Sequence, residues 1–262
     1  MRDRVVAITG ASAGIGAALA ERLGKRGAPL VLLARREREL GEVAARSGPN
    51  ALAVVADVTR RDDIVRAVDA GLARFGRIDA WINNAGRGIS RTVSDLSDAD
   101  FDEMMLVNVK SALYGMQAVL PHMKSRGSGH IVNVSSMLGR VPFAPIRSAY
   151  SASKHALNSL TANLRMELRA EFSQIHVTTV HPGVVATEFG INALHGGFDS
   201  RSFPGAQTAD EVAAVIEEVL ERPKADVYTR PGARQMVVDY YAAEDMGRAE
   251  QEGPFAFRPP PK

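Results

Sequence analysis

Arg4-Val-Val-Ala-Ile-Thr-Gly10-Ala-Ser-Ala-Gly14-Ile-Gly16 runs from an apolar stretch straight into a glycine-rich turn, and an apolar-periodic segment follows at once. Residues 4–9 read as a buried strand and residues 14–26 as a helix. Glycine permits a tight turn, close approach of the backbone and close packing of the helix. The free N–H groups and the dipole at the helix start favour an anion such as pyrophosphate. The spacing is Gly-x-x-x-Gly-x-Gly, not the commoner Gly-x-Gly-x-x-Gly. In its strand–turn–helix setting it predicts a dinucleotide site at Gly10, Ser12, Gly14, Ile15 and Gly16.

The same alternation continues outward from this unit. Short apolar runs at 29–34, 51–56, 80–83, 130–134, 176–180 and 226–229 read as strands. Helical segments fall at 37–46, 62–75, 98–126, 149–171 and 209–221. Strands apolar on both faces, alternating with helices, predict a parallel sheet covered on both sides. The expected fold class is therefore α/β: one doubly wound Rossmann-type domain over residues 1–242. Its sheet is mostly parallel and seven-stranded, with helices on both faces. Residues 189–207, rich in Gly, Asn, Ser and aromatics, break the alternation just after a strand end and read as a substrate lid. Residues 243–262 are polar and Pro-rich and read as a tail with little structure of its own.

Composition narrows the function classes. The 262 residues are 45% hydrophobic and 24% charged, with a net charge of +2 and no basic block. That predicts no nucleic-acid partner. With no cysteine, disulfides, thiolate metal sites and thiol catalysis are excluded. The six histidines show no ligand spacing, so no metal is expected. No signal-peptide pattern and no apolar run of about 18 residues appear. A cytoplasmic protein without a membrane span is expected.

Tyr150 and Lys154, in Tyr-Ser-Ala-Ser-Lys, stand four apart on the helix read at 149–171. That spacing puts them side by side on one face. The ammonium is expected to lower the phenol pKa from its usual value of about 10. A tyrosine so tuned exchanges a proton with an alcohol or carbonyl oxygen near neutral pH.

Together with the glycine turn, these residues resemble the short-chain dehydrogenase/reductase family in its classical branch. The resemblance extends to Asp57, Asn83-Asn-Ala-Gly86, Asn108, Val134-Ser-Ser136, Pro182-Gly183 and Thr187, and covers roughly residues 4–230. It implies a nicotinamide cofactor and a proton relay. Tyr150 is then the general acid or base, and Lys154 lowers its pKa and binds the nicotinamide ribose. Ser136 holds the substrate oxygen, and Asn108 positions a water leading from Lys154 to solvent. Asp57 and Val58 would bind the adenine. Asn84, Ala85 and Gly86 would lie by its ribose, with Pro182, Gly183, Val185 and Thr187 about the nicotinamide. Thirteen residues separate Ser136 from Tyr150, one more than is common in the family. This leaves Ser135 as an alternative, although Ser136 better fits a Ser-x-x-Gly pattern ending at Gly139. Met137, Leu138, Phe143, Val184, Phe189, Ile191 and Leu194, beside Ser136, are the candidate substrate pocket and suggest an apolar ketone or secondary alcohol.

The strand read at 29–34 ends Leu33-Ala34-Arg35-Arg36, without the acid that binds a ribose 2′-hydroxyl in NAD sites. Arg35 and Arg36 suit a 2′-phosphate, so NADP(H) is expected over NAD(H), which remains possible. The family's usual subunit contact predicts a homodimer or homotetramer through the helices at 98–126 and 149–171, with Met116, Leu164 and Leu168 between subunits. The competing readings are a non-catalytic dinucleotide-binding regulator and a reductase or dehydratase of another branch.

Overall fold

A computed structural model describes residues 1–251. The elements in chain order are β1 (Val6–Thr9), α1 (Gly14–Lys25), β2 (Leu30–Ala34), α2 (Glu37–Ser47), β3 (Ala51–Val55), α3 (Arg61–Phe75) and β4 (Ala80–Asn83). There follow α4 (Asp98–Met105), α5 (Ser111–Arg126), β5 (Gly129–Val134), α6 (Ser148–Leu168), β6 (Ile175–His181), α7 (Ala209–Glu221), β7 (Asp226–Tyr228), α8 (Ala233–Ala242) and α9 (Met246–Ala249). The strands form one seven-stranded sheet in the order β3-β2-β1-β4-β5-β6-β7. Every pairing among the described residues is parallel, so the expected architecture holds, with no antiparallel edge among them.

The sheet buries both faces because successive side chains point to opposite sides. Val6, Ile8, Leu30 and Leu32 pack beneath α1, α2 and α7, against Leu19, Leu23, Leu40 and Ile216. Ala7, Val31 and Leu33 face the other way onto α3, α5 and α6, against Ile64, Val119 and Leu168. Strand order reverses between β1 and β4, whose register pairs Ile8 with Ile82. In an open α/β sheet that reversal opens a crevice at the carboxyl ends of the strands, where ligands bind.

Four expectations need correction or addition. The single helix read at 98–126 is interrupted: α4 passes through a π-helical turn at Leu106–Lys110 before α5 begins. Met116 and Leu168, expected between subunits, are 3% and 1% exposed within one chain. Both point onto the sheet, and Leu164 packs beside them. Outward on these helices stand Phe101 and Met166. Beyond residue 229, α8 was not foreseen; it buries Tyr240 against Val141, with Phe143, Met236 and Ala249 around them. Ala249 belongs to α9, a short helix inside the segment read as tail. The Pro-rich end of that tail lies outside the described residues.

The segment read as a lid is mostly irregular and is tied down at both ends. The Leu194 N–H donates to the Gly88 carbonyl at 2.8 Å, and the Ser90 N–H to the Leu194 carbonyl at 3.0 Å. At the other end the Gln207 N–H donates to the Val184 carbonyl at 3.0 Å. His195 adopts a left-handed backbone, φ 64°, and its ring meets the Asp100 carboxylate at 2.6 Å. That hydrogen bond holds the Asp100 carboxyl below its usual range.

Candidate active site

The crevice begins at the turn after β1. Gly10 and Gly14 have φ of 67° and 56°, which side chains rarely adopt. The Thr9 hydroxyl accepts the N–H groups of Asn84 and Ala85 at 2.9 and 3.0 Å, and the Asn84 amide donates to the Thr9 carbonyl at 2.9 Å. The ends of β1 and β4 are thereby locked together, and the Asn84 amide is engaged in this lock. No side chain caps α1 and its first turn has no acid, so its N-terminal N–H groups stay open to an anion. Thr187 stands over this turn: a Cβ on Gly14 would lie 3.3 Å from its methyl. These features fit a dinucleotide pyrophosphate.

Arg36, at the start of α2, reaches back to the Ser12 hydroxyl at 3.1 Å and lies 3.8 Å from Glu39. Arg35 is exposed and makes no hydrogen bond or ion pair among the described residues. Asp57 accepts from the Thr59 N–H and hydroxyl at 2.9 and 2.7 Å, while Val58 packs partly into the core. Gly86 lies against Asn108 and Lys154, 3.0 Å from Oδ1 and 3.6 Å from Nζ measured from its would-be Cβ. The Pro182 carbonyl accepts from Met137 N–H at 2.9 Å, Gly183 packs beside Arg230, and Val185 is a core residue.

Tyr150, Ser136, Lys154 and Asn108 converge at the same end of the sheet, all buried. The Ser136 side chain stands beside the Tyr150 phenol and favours its charged form. Ser136 also accepts the Leu138 N–H at 3.1 Å, capping a short turn at Met137–Gly139. Ser135 points the other way, to the Lys154 carbonyl at 3.4 Å. The serine beside the tyrosine is therefore Ser136. Asn108 sits in the π turn. Its amide donates to the Arg87 carbonyl at 3.0 Å and to Ser153 at 3.1 Å, and its Oδ1 accepts the Arg87 N–H at 2.9 Å. It thus fastens the loop after β4 to α6.

One electrostatic expectation is reversed. Burial pushes the Tyr150 phenol up from its usual value, against the opposing effects of the Ser136 side chain and the Arg147 charge. Lys154 sends its ammonium to the Val134 carbonyl at 2.9 Å, 5.7 Å from the centre of the Tyr150 ring. Burial pushes Lys154 itself down to about 8. Desolvation disfavours whichever form is charged; in this dry site it outweighs the neighbouring charge. A phenol held protonated is ready to donate.

Phe189 roofs the tyrosine, edge to face at 5.5 Å. Leu138 and Leu194 pack with Ile89, Met104 and Tyr150, and Met137 is buried beside Ser136. Phe143 belongs instead to the cluster under α8, and Ile191 is 40% exposed. Sequence reasoning missed Arg147, buried at the start of α6. A cation at a helix N-terminus is unfavourable, and that signal was present in the sequence.

Residues 4–195 match the family described as short chain dehydrogenase. An uncharacterized oxidoreductase of Staphylococcus epidermidis is 37% identical over 231 residues, 88% of this chain and 98% of that one. A short chain dehydrogenase/reductase from Burkholderia phymatum, solved in complex with NAD, superposes with a TM-score of 0.83 at 26% identity, over 96% of each chain. An alcohol dehydrogenase from the archaeon Thermococcus sibiricus, complexed with 5-hydroxy-NADP, gives a TM-score of 0.76 at 27% identity, over 86% of this chain and 95% of that one.

Proposed function

Since this chain belongs to the short-chain dehydrogenase/reductase family and is an oxidoreductase acting on alcohol and carbonyl groups, we propose that it interconverts a ketone or aldehyde and an alcohol with NADP(H). The observation that carries this reading is the buried group of Tyr150, Ser136, Lys154 and Asn108, with Tyr150 and Lys154 one helical turn apart on α6. The nicotinamide, when bound, supplies or accepts the hydride. Tyr150 gives its proton to the carbonyl oxygen in reduction and takes it back in oxidation. Ser136 donates a hydrogen bond to the same oxygen and stabilises the charge that develops there. Lys154 holds the nicotinamide ribose and passes protons towards Asn108. Purified protein with a panel of ketones and aldehydes tests this by the loss of reduced nicotinamide absorbance. No consumption with any of them would favour a dinucleotide-binding regulator.

The cofactor preference rests on the end of β2. No acid stands there to accept from a 2′-hydroxyl, and Arg35 has its whole guanidinium free among the described residues. Arg35 is the main contact to a 2′-phosphate, with Arg36 held beside Ser12 as the second. Arg35→Asp is expected to reverse or abolish the preference. Titration of both cofactors onto wild-type protein checks it, and equal or tighter NAD(H) binding refutes it.

We also infer a homodimer or homotetramer built on α4, α5 and α6. Phe101 and Met166, 42% and 63% exposed, are the large apolar groups these helices present outward. Light scattering at micromolar concentration should give a multiple of the 28.1 kDa chain; a monomer alone rejects the assembly.

A further inference from the structure

Arg147 has no part in the chemistry above, yet it is 7% exposed and stands three residues before Tyr150 at the start of α6. One of its five N–H donors has a protein acceptor among the described residues: Nη1 donates to the Ile89 carbonyl at 3.0 Å. Its guanidinium carbon lies 5.6 Å from the centre of the Phe198 ring. No carboxylate among the described residues is within ion-pair distance. The acids of the neighbouring segments are already engaged: Asp100 with His195 at 2.6 Å, and Asp199 and Glu188 with Arg201 at 2.8 and 3.7 Å. The first turn of α6 adds no acid, so the helix dipole reinforces the positive potential.

A buried, unpaired guanidinium is costly. The Ile89 carbonyl needs only a neutral donor, so the charge calls for another partner. Its surroundings say where that partner sits. Nη1 and the Phe189 ring crowd the same spot, 3.1 and 2.9 Å from a Cβ on Gly88, and Phe189 in turn covers Tyr150. Arg147 acts electrostatically on the Tyr150 phenol directly. The guanidinium, the aromatic roof and the reacting hydroxyl therefore share one small space.

We propose that Arg147 binds an anionic group of the substrate, a carboxylate or a phosphate monoester, so that the enzyme acts on carbonyl compounds or alcohols carrying such a group near the reacting carbon. This rests on the carbonyl–alcohol reading and narrows its substrate class. A guanidinium forks onto either anion through two parallel hydrogen bonds.

The test compares 2-, 3- and 4-oxo acids with their methyl esters, and dihydroxyacetone phosphate with dihydroxyacetone, on wild type, Arg147→Lys and Arg147→Met. Wild type is expected to favour the anion of at least one pair in kcat/KM by about 10- to 100-fold, the value of hydrogen bonds to a charged group. Arg147→Met should bring that ratio to about one, with Arg147→Lys between. The pair showing the preference tells carboxylate from phosphate. A role confined to clamping the lid would lower both members of a pair together and leave the ratio unmoved, which overturns the proposal, as does a wild-type ratio near one in every pair. Binding is read separately, by thermal shift with the corresponding hydroxy acids, their methyl esters and glycerol 3-phosphate in the presence of NADP+. Stabilisation by an anion and not by its neutral counterpart, lost in Arg147→Met, supports the assignment; equal shifts or none overturn it. If an anion binds in this way but no carbonyl is reduced, the carbonyl–alcohol reading fails and the anion site stands.

Discussion

Tyr150→Phe is expected to lower kcat by about 10²–10⁴-fold while the fold and cofactor affinity persist. The ring keeps its packing against Phe189, Met104 and Leu194, and only the proton donor is removed. Circular dichroism and a cofactor titration would show the fold and binding intact. Near-wild-type reduction of a good substrate would remove Tyr150 from the mechanism. The pH dependence carries a sign as well. Burial raises the folded Tyr150 pKa, so the protonated form needed for reduction persists through the neutral range. Oxidation needs the phenolate and should accelerate as pH rises into the alkaline range.

Gly16→Ala is expected to be nearly as damaging, by a different route. A Cβ there would overlap the Gly10 carbonyl oxygen and lie 2.6 Å from the Asn84 amide nitrogen. The Gly10 carbonyl belongs to the main chain of the turn and Asn84 is engaged in the β1–β4 lock, so neither gives way easily. Overpacking of this kind costs about 1–3 kcal/mol, and the displaced turn should lose cofactor affinity by more than that. Gly41→Ala, in α2 with open space around it, is the control. It should leave binding alone and add about 0.5–1 kcal/mol of stability. Denaturant unfolding and cofactor titration of both variants check the pair; equal behaviour would mean that Gly16 is not needed for close packing.

The strands and most helices were legible because parallel strands buried on both faces leave continuous apolar runs, as in Leu30–Ala34. The glycine turn and the Tyr150–Lys154 pair were legible because their spacing is local. What escaped the sequence depends on contacts distant along the chain. The π turn around Asn108 is bound to Arg87, 21 residues earlier, and no local propensity announces it. The direction of the Tyr150 pKa follows from burial, which four-residue spacing does not encode. Met116 and Leu168 were apolar residues with two available uses, and only packing shows that the sheet takes them. The helix α8 owes its burial to Val141, on a loop about 100 residues earlier.

The strand order also governs how this chain must come off the ribosome. Its first strand becomes one of its most central, with β2 on one edge and β4 on the other. The first edge is closed early, while the second waits for Ala80 and beyond. The outer face of α1 waits longest: Arg22 meets Glu217, 195 residues later, and Leu19 and Leu23 share a core with Val212 and Ile216. A nascent chain halted before residue 209 leaves that face bare, a ready target for chaperones and proteases. The helix α7 is thus the seal on α1, and translation must run past it before that face of the amino-terminal half is covered.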